Sequence, residues 1–162
     1  MLPGPAYHVN MVDLKDPAGL ADPALRDAIE ALYFGYRAFT RGPDSLLARR
    51  GLGRVHHRIL YFVGRQPGIK VNELLAVLAV SKQALNTPLR RLIELGLIDS
   101  RPGREDRRVR HLSLSASGKR LEATLSGTQT ELLAAVFARC GRSAQRHWLQ
   151  VMHALHDQQT GD

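Results

Sequence analysis

Residues 81–114, SKQALNTPLRRLIELGLIDSRPGREDRRVRHLSL, constrain this chain more than any other stretch. The first half predicts a helix. Ser81 is placed as its N-cap, where a hydroxyl accepts from an N–H that the first turn leaves orphaned. Ala84, Leu85, Leu89, Leu92 and Ile93 fall on one side at helical spacing, and Gln83, Asn86, Thr87 and Arg90 fall at i, i+3, i+4 and i+7 on the other. Amide, hydroxyl and guanidinium groups of this kind read base edges and hold phosphates. Gly96 is placed to end the helix.

The second half predicts a two-stranded ribbon. Leu97 and Ile98 begin one strand, and Arg110 to Leu114 alternate like another. Between them, RPGREDRR combines a Pro-Gly turn with charge. Arg101, Arg104, Arg107, Arg108 and Arg110 face only Asp99, Glu105 and Asp106 as opposite charges within the hairpin. A polar helix face is commonly only solvated, and a charge run only surface. Helix, glycine stop and arginine hairpin in this order are more specific than any one of them.

These residues resemble the wing signature of the MarR-type (multiple antibiotic resistance regulator) winged-helix transcription factors, Asp-x-Arg-Ser-x-x-Val-x-Leu-Thr-x-x-Gly. Asp106, Arg108, Leu112 in place of Val, Leu114, Ser115 in place of Thr, and Gly118 stand in register, and Val109 replaces Ser. The resemblance extends over about residues 22–158 and is strongest over 52–121. It implies a mainly α fold with a small β wing: a winged helix-turn-helix whose N- and C-terminal helices form a dimerisation lobe. It also implies that Arg108 enters the minor groove and that Asp106 orients it. A carboxylate can hold a guanidinium fork, and narrow minor grooves attract arginine. The DNA-contacting set expected is Ser81, Lys82, Gln83, Asn86, Thr87, Arg90, Arg104, Asp106, Arg107 and Arg108. Gln83, Asn86 and Thr87 would read bases, and Lys82 and Arg90 would hold phosphates.

Charge agrees with such a partner. Lys and Arg total 23 against 15 Asp and Glu, a net +8, which favours a polyanion without choosing between DNA, RNA and an anionic membrane. At 162 residues and 44% apolar content the chain can build one packed domain with helical extensions. No apolar run reaches the roughly 20 residues that span a bilayer, and no signal peptide is evident. The one cysteine, Cys140, excludes an intramolecular disulfide framework. A soluble cytoplasmic protein without a membrane partner is expected.

Four segments are expected. Residues 1–21, with Pro3, Pro5 and Pro17, form a flexible arm. Residues 22–50 hold a dimerisation helix and a connection: the helix spans 22–40, capped by Asp22 with Pro23 at its first position. Arg41, Gly42, Pro43 and Asp44 break it, and Leu46 and Leu47 form a separate short turn. Residues 51–115 form the DNA-binding lobe, with helices near 53–65 and 71–78 before the one after Ser81. The short turn at Ala79 and Val80 makes a helix-turn-helix. Residues 116–162 supply two further helices, about 116–138 and, capped by Ser143, to about 158. Outside the wing signature, three further positions depart from the family. Lys70 leaves a helix start without its usual cap. Ala79 replaces a turn glycine. Pro88 sits inside the recognition helix, where it removes a bond to the Ala84 carbonyl at a cost of about 3 kcal/mol; the helix is expected to survive with a local kink.

No Walker loop, dinucleotide glycine motif, nucleophile elbow or Cys-x-x-Cys is present, so no enzyme activity and no cofactor are expected. His153 and His156 are spaced to share a metal, but two histidines are not a site, and no metal is assigned. Cys140 lies between Arg139 and Arg142, which would favour a thiolate; peroxide-sensing relatives carry their cysteine on the first helix, where this chain has none. The family commonly binds small aromatic or phenolic anions between its lobes. The lining expected here is Tyr33, Tyr36, Arg37, His56, His57 and Tyr61, aromatic faces with a cation; the same tyrosines would also serve as core with satisfied hydroxyls. The function expected is a homodimeric regulator of double-stranded DNA, a repressor released from a pseudo-palindromic operator by such an effector. The alternative is a sequence-tolerant winged-helix architectural or protein-docking module with no ligand.

Overall fold

The computed structural model describes residues 23–103 and 105–158. The expected arm at 1–21 and the Asp22 cap lie outside them. Two compact units divide the chain, one ending at Gly35 and one beginning at Tyr36. The described part of the first is the start of helix α1 (Pro23–Ala48). Its Leu25, Ile29 and Leu32 side chains are exposed.

Helix α1 is not broken at 41–44 as expected. It runs on through Pro43 to Ala48. Proline has no N–H, so the Phe39 carbonyl loses its intrahelical donor. Gln129 replaces that donor, with Nε2 3.3 Å from Phe39 O. The Pro43 ring is buried, and the buried Thr40 hydroxyl donates to Tyr36 O at 3.1 Å. Leu47, expected in a separate turn, is a fully buried residue of α1 itself. A long-range partner therefore outweighs a local breaker.

Helix α2 (Arg54–Arg65) buries Ile59, Leu60 and Val63. Strand β1 (Ile69–Lys70) leads into α3 (Val71–Leu78). Lys70 offers no side-chain acceptor, and Glu73 compensates from within the helix: its Oε2 accepts from Lys70 N at 2.9 Å. Ala79 takes the left-handed conformation, φ 50° and ψ 43°, as the missing glycine implied. Helix α4 (Lys82–Glu94) begins with Ser81 Oγ accepting from Ala84 N at 3.2 Å.

Helix α4 is continuous through Pro88, which is buried with Leu85, Leu89 and Leu92. Ala84 and Ile93, expected on the apolar side, are exposed. The buried four repeat at i, i+3, i+4 and i+7, and Ala84 and Ile93 lie about 100° and 80° round the helix from Leu85. Pro88 thus occupies the core stripe, where its ring gains burial against its lost hydrogen bond.

Gly96, at φ +64°, turns the chain into β2 (Ile98–Pro102), which pairs antiparallel with β3 (Arg110–Leu114). The sheet has a third strand that the pattern did not reveal: β1 pairs with β3, giving the order β1-β3-β2. A two-residue strand carries too little alternation to register.

Helix α5 (Ala116–Cys140) starts at Ser115, whose Oγ accepts from Gly118 N at 3.0 Å. The Ser115 and Ser117 hydroxyls donate to Gly96 O at 2.6 and 2.9 Å. A Cβ on Gly118 would overlap the Leu97 carbonyl oxygen, so the last glycine of the wing signature is there for close backbone approach. Helix α6 (Ala144–Asp157) follows Gly141 at φ +98°. Ser143 precedes it without capping it: its backbone is already α-helical and its side chain accepts no cap bond. The core lies under the helix-turn-helix, where Ile59, Leu60, Leu74, Leu85, Leu92, Ile98, Leu112 and Leu125 join in one cluster.

Candidate nucleic-acid interface and effector cavity

Burying Leu85, Pro88, Leu89 and Leu92 leaves the opposite side of α4 to solvent. Lys82, Gln83, Asn86, Thr87 and Arg90 are all exposed there. Ser81 is exposed too, with its hydroxyl engaged in the cap. Arg90 Nε lies 3.6 Å from Glu94 Oε1, with both side chains more than half exposed; such a pair is worth little and yields readily to a phosphate.

The wing tip is a hydrogen-bonded turn. Gly103 N donates to Val109 O at 2.8 Å and Val109 N to Asp106 O at 3.1 Å. Asp106 Oδ1 accepts from the backbone N of Arg108 at 2.8 Å. Asp106 therefore sets the turn beneath Arg108 and does not grip its guanidinium, which corrects the orientation expected from the sequence. Arg107 and Arg108 are exposed, and neither forms an ion pair among the described residues. Arg104 lies outside the described residues.

Between α4 and the wing runs an open groove of about 680 Å³. Lys82, Asn86, Thr87 and Arg90 line it from α4, and Arg108 from the wing. Lys70, Asn72, Ser100 and Arg110 line it as well, and none of these belongs to the DNA-contacting set expected from the sequence. Lys70 and Asn72 enter through the short β1–α3 junction that the alternation missed; Arg110 was visible only as one arginine among five.

A second concavity, about 410 Å³, lies beside α2. Tyr36, His57 and Tyr61 line it as expected, while Arg37 and His56 do not, and Tyr33 belongs to the first unit, where its ring meets Phe34 edge-on at 5.2 Å. His56 turns away because its Nδ1 accepts from Gly53 N at 3.0 Å. Unforeseen linings are Asp44, Arg54, Arg58, Ser126, Gln129 and Thr130. Arg54 and Arg58 on α2 find their partners on α1. Arg54 pairs with Asp44 at 2.8 Å and stands over the Tyr36 ring, 5.4 Å from its centroid. Arg58 Nη2 donates to the Tyr36 hydroxyl at 2.9 Å. His57 Nε2 is buried with no partner among the described residues. Burial holds the His57 pKa below its ordinary value, against a smaller upward pull from Glu122 and Asp44. Burial thus favours the neutral His57 ring, whose Nε2 is an unused polar atom at the cavity wall.

Among the described residues no three His, Cys, Asp or Glu side chains gather to hold a metal. His153 and His156 lie on α6, and Cys140 is exposed. No described helix is long and apolar enough to cross a membrane.

A helix-turn-helix followed directly by a β wing, with an unburied polar row on its second helix, defines a winged helix-turn-helix protein. The MarR family model matches residues 50–109, from the end of α1 to the wing. The chain is 43% identical over 152 residues to the HTH-type transcriptional regulator PetP of Rhodobacter capsulatus, covering 91% of this chain and 92% of that protein. Its fold is similar to that of Staphylococcus aureus MarR in complex with salicylate and kanamycin: TM-score 0.71, 20% identity, 86% of this chain and 94% of that one. It is also similar to a S. aureus MepR mutant bound to oligodeoxyribonucleotide: TM-score 0.57, 14% identity, 81% and 96%. The chain belongs to the MarR family and is a DNA-binding transcriptional regulator, not an enzyme.

Proposed function

We propose that the protein is a cytoplasmic, homodimeric repressor that holds a pseudo-palindromic operator and releases it when a small aromatic anion binds. The observation that carries this reading is the groove in which the free polar face of α4 and Arg108 of the wing line one surface. Gln83, Asn86 and Thr87 read base edges in the major groove. Ser81, Lys82, Arg90, Arg104 and Arg107 hold the backbone. Arg108, on the turn set by Asp106, enters the flanking minor groove. The ends of the chain, 22–50 and 116–162, form the dimer lobe and set the spacing of two recognition helices at about one helical turn. The structure of a MepR mutant with an oligodeoxyribonucleotide supports the DNA partner.

The effector class follows from the α2 cavity. Arg54 is neutralised by Asp44, while Arg58 meets only the neutral Tyr36 hydroxyl and no carboxylate among the described residues. His57 offers an unused ring nitrogen, and Tyr36 and Tyr61 offer ring faces. That set suits a monoanion on an aromatic ring carrying a further hydrogen-bonding group. The family relative's complex with salicylate supports the same class.

Selection of bound duplexes from a random pool tests the reading. The expected product is a two-fold sequence, and Asn86→Ala is expected to relax preference at one position per half-site by about 1–3 kcal/mol. Recovery of duplexes with no shared sequence would favour the architectural alternative.

A further inference from the structure

The tip end of the wing strands holds an arginine that the operator reading does not use. Arg110 opens β3, and its guanidinium reaches across to β2: Nε donates to Ser100 Oγ at 3.0 Å and Nη2 to Ser100 O at 2.6 Å. Two of its five N–H donors are engaged, and three remain. The ladder sets Ser100 opposite Leu112 and Pro102 opposite Arg110, so Arg110 and Leu112 share one face of the sheet. Leu112 is fully buried on that face. Arg110 stands two residues farther out, exposed, at the wall of the groove between α4 and the wing. No carboxylate pairs with it among the described residues.

A DNA strand that meets α4 in the major groove and Arg108 in the adjacent minor groove has to carry its backbone across this groove. A loose arginine would lose rotamer freedom on gripping a phosphate there. Arg110 has its fork set in advance by Ser100, and a planar guanidinium matches phosphate geometry. We propose that Arg110 is a preset phosphate clamp: Ser100 holds the guanidinium, and the remaining donors take the backbone phosphate lying between the base-reading and minor-groove contacts. Such a contact carries no sequence information; it sets where the wing sits relative to the recognition helix. The proposal rests on the operator reading above.

The test is duplex binding across a series of salt concentrations, using a duplex selected from a random pool by the wild-type protein. Arg110→Gln is expected to lose about tenfold in affinity. Its log–log salt dependence is expected to become shallower by about 0.9 per half-site. Arg110→Lys and Ser100→Ala should bind more weakly yet keep the wild-type slope, since the charge stays and only its setting is lost. Ethylation of phosphates on the wild-type complex gives a readout free of folding effects, with interference expected at the phosphate between the two grooves. Arg110→Gln with the wild-type slope, or no interference at that phosphate, would overturn the clamp while leaving the operator reading standing. A wild-type protein that selects no duplex at all would overturn both.

Discussion

Ala79 shows how one residue stores strain in the reading head. Its φ of 50° sits where a Cβ crowds the following carbonyl. That conformation costs an alanine roughly 1–2 kcal/mol, and a glycine there would give back about 0.5–1 kcal/mol through its freer unfolded chain. The first effect is larger. Ala79→Gly is therefore expected to stabilise the protein by about 0.5–1 kcal/mol, seen as a higher urea midpoint at unchanged m-value; an unchanged or lower midpoint would show that the turn carries no such strain. Ala79 and the Ser81 cap were legible in the sequence because turn and cap chemistry act within four residues. Pro43 was not, because the donor that repairs its helix is Gln129, which meets Phe39 from 90 residues away. The need for glycine at 118 was legible only as a motif; its cause, the Leu97 carbonyl, appears once α5 has docked.

At the scale of an element, α2 joins the cavity to the helix-turn-helix. His56 and His57 are neighbours on it with different fates: His56 Nδ1 closes the helix start on Gly53, and His57 meets the cavity. The apolar stripe of α2 was visible in the sequence, but which histidine turned inward was not, since two adjacent positions lie only about 100° apart on a helix. Both rings have their pKa lowered, with desolvation the largest cause in each. The sign of the consequence follows. The unfolded chain binds these protons near the ordinary histidine value of about 6.5, and the folded chain only at lower pH. Stability is then full above that value and falls as pH drops from it toward the folded pKa values. Urea midpoints are expected to decline between about pH 7 and pH 5, and His57→Gln should flatten part of that decline. A decline identical in the variant would mean that the His57 ring is as free to ionise in the fold as in the unfolded chain.

At the scale of the whole molecule, the apolar side chains left in water need an occupant. Helix α6 has no buried residue, with Val151 59% and Leu155 51% exposed. In the first unit Ile29 is 70% exposed. Faces this apolar are uncommon on soluble monomers and mark interaction sites. A sequence shows such a stripe plainly, but its occupant belongs to no single chain, so a dimer was expected only through the family resemblance. If a second copy covers α6, a charge placed there should separate the copies without unfolding either, because α6 contributes nothing buried to the core. Val151→Asp together with Leu155→Asp is expected to sediment as a monomer with its helical circular dichroism intact. Each monomer would still carry α4 and the wing, so binding to an isolated half-site should persist. Affinity for the full operator should fall by about 10²–10⁴, the gain that linking two sites confers. A charged double variant that stays dimeric would move the interface away from α6, and a monomeric one that keeps full operator affinity would show that a single winged helix suffices.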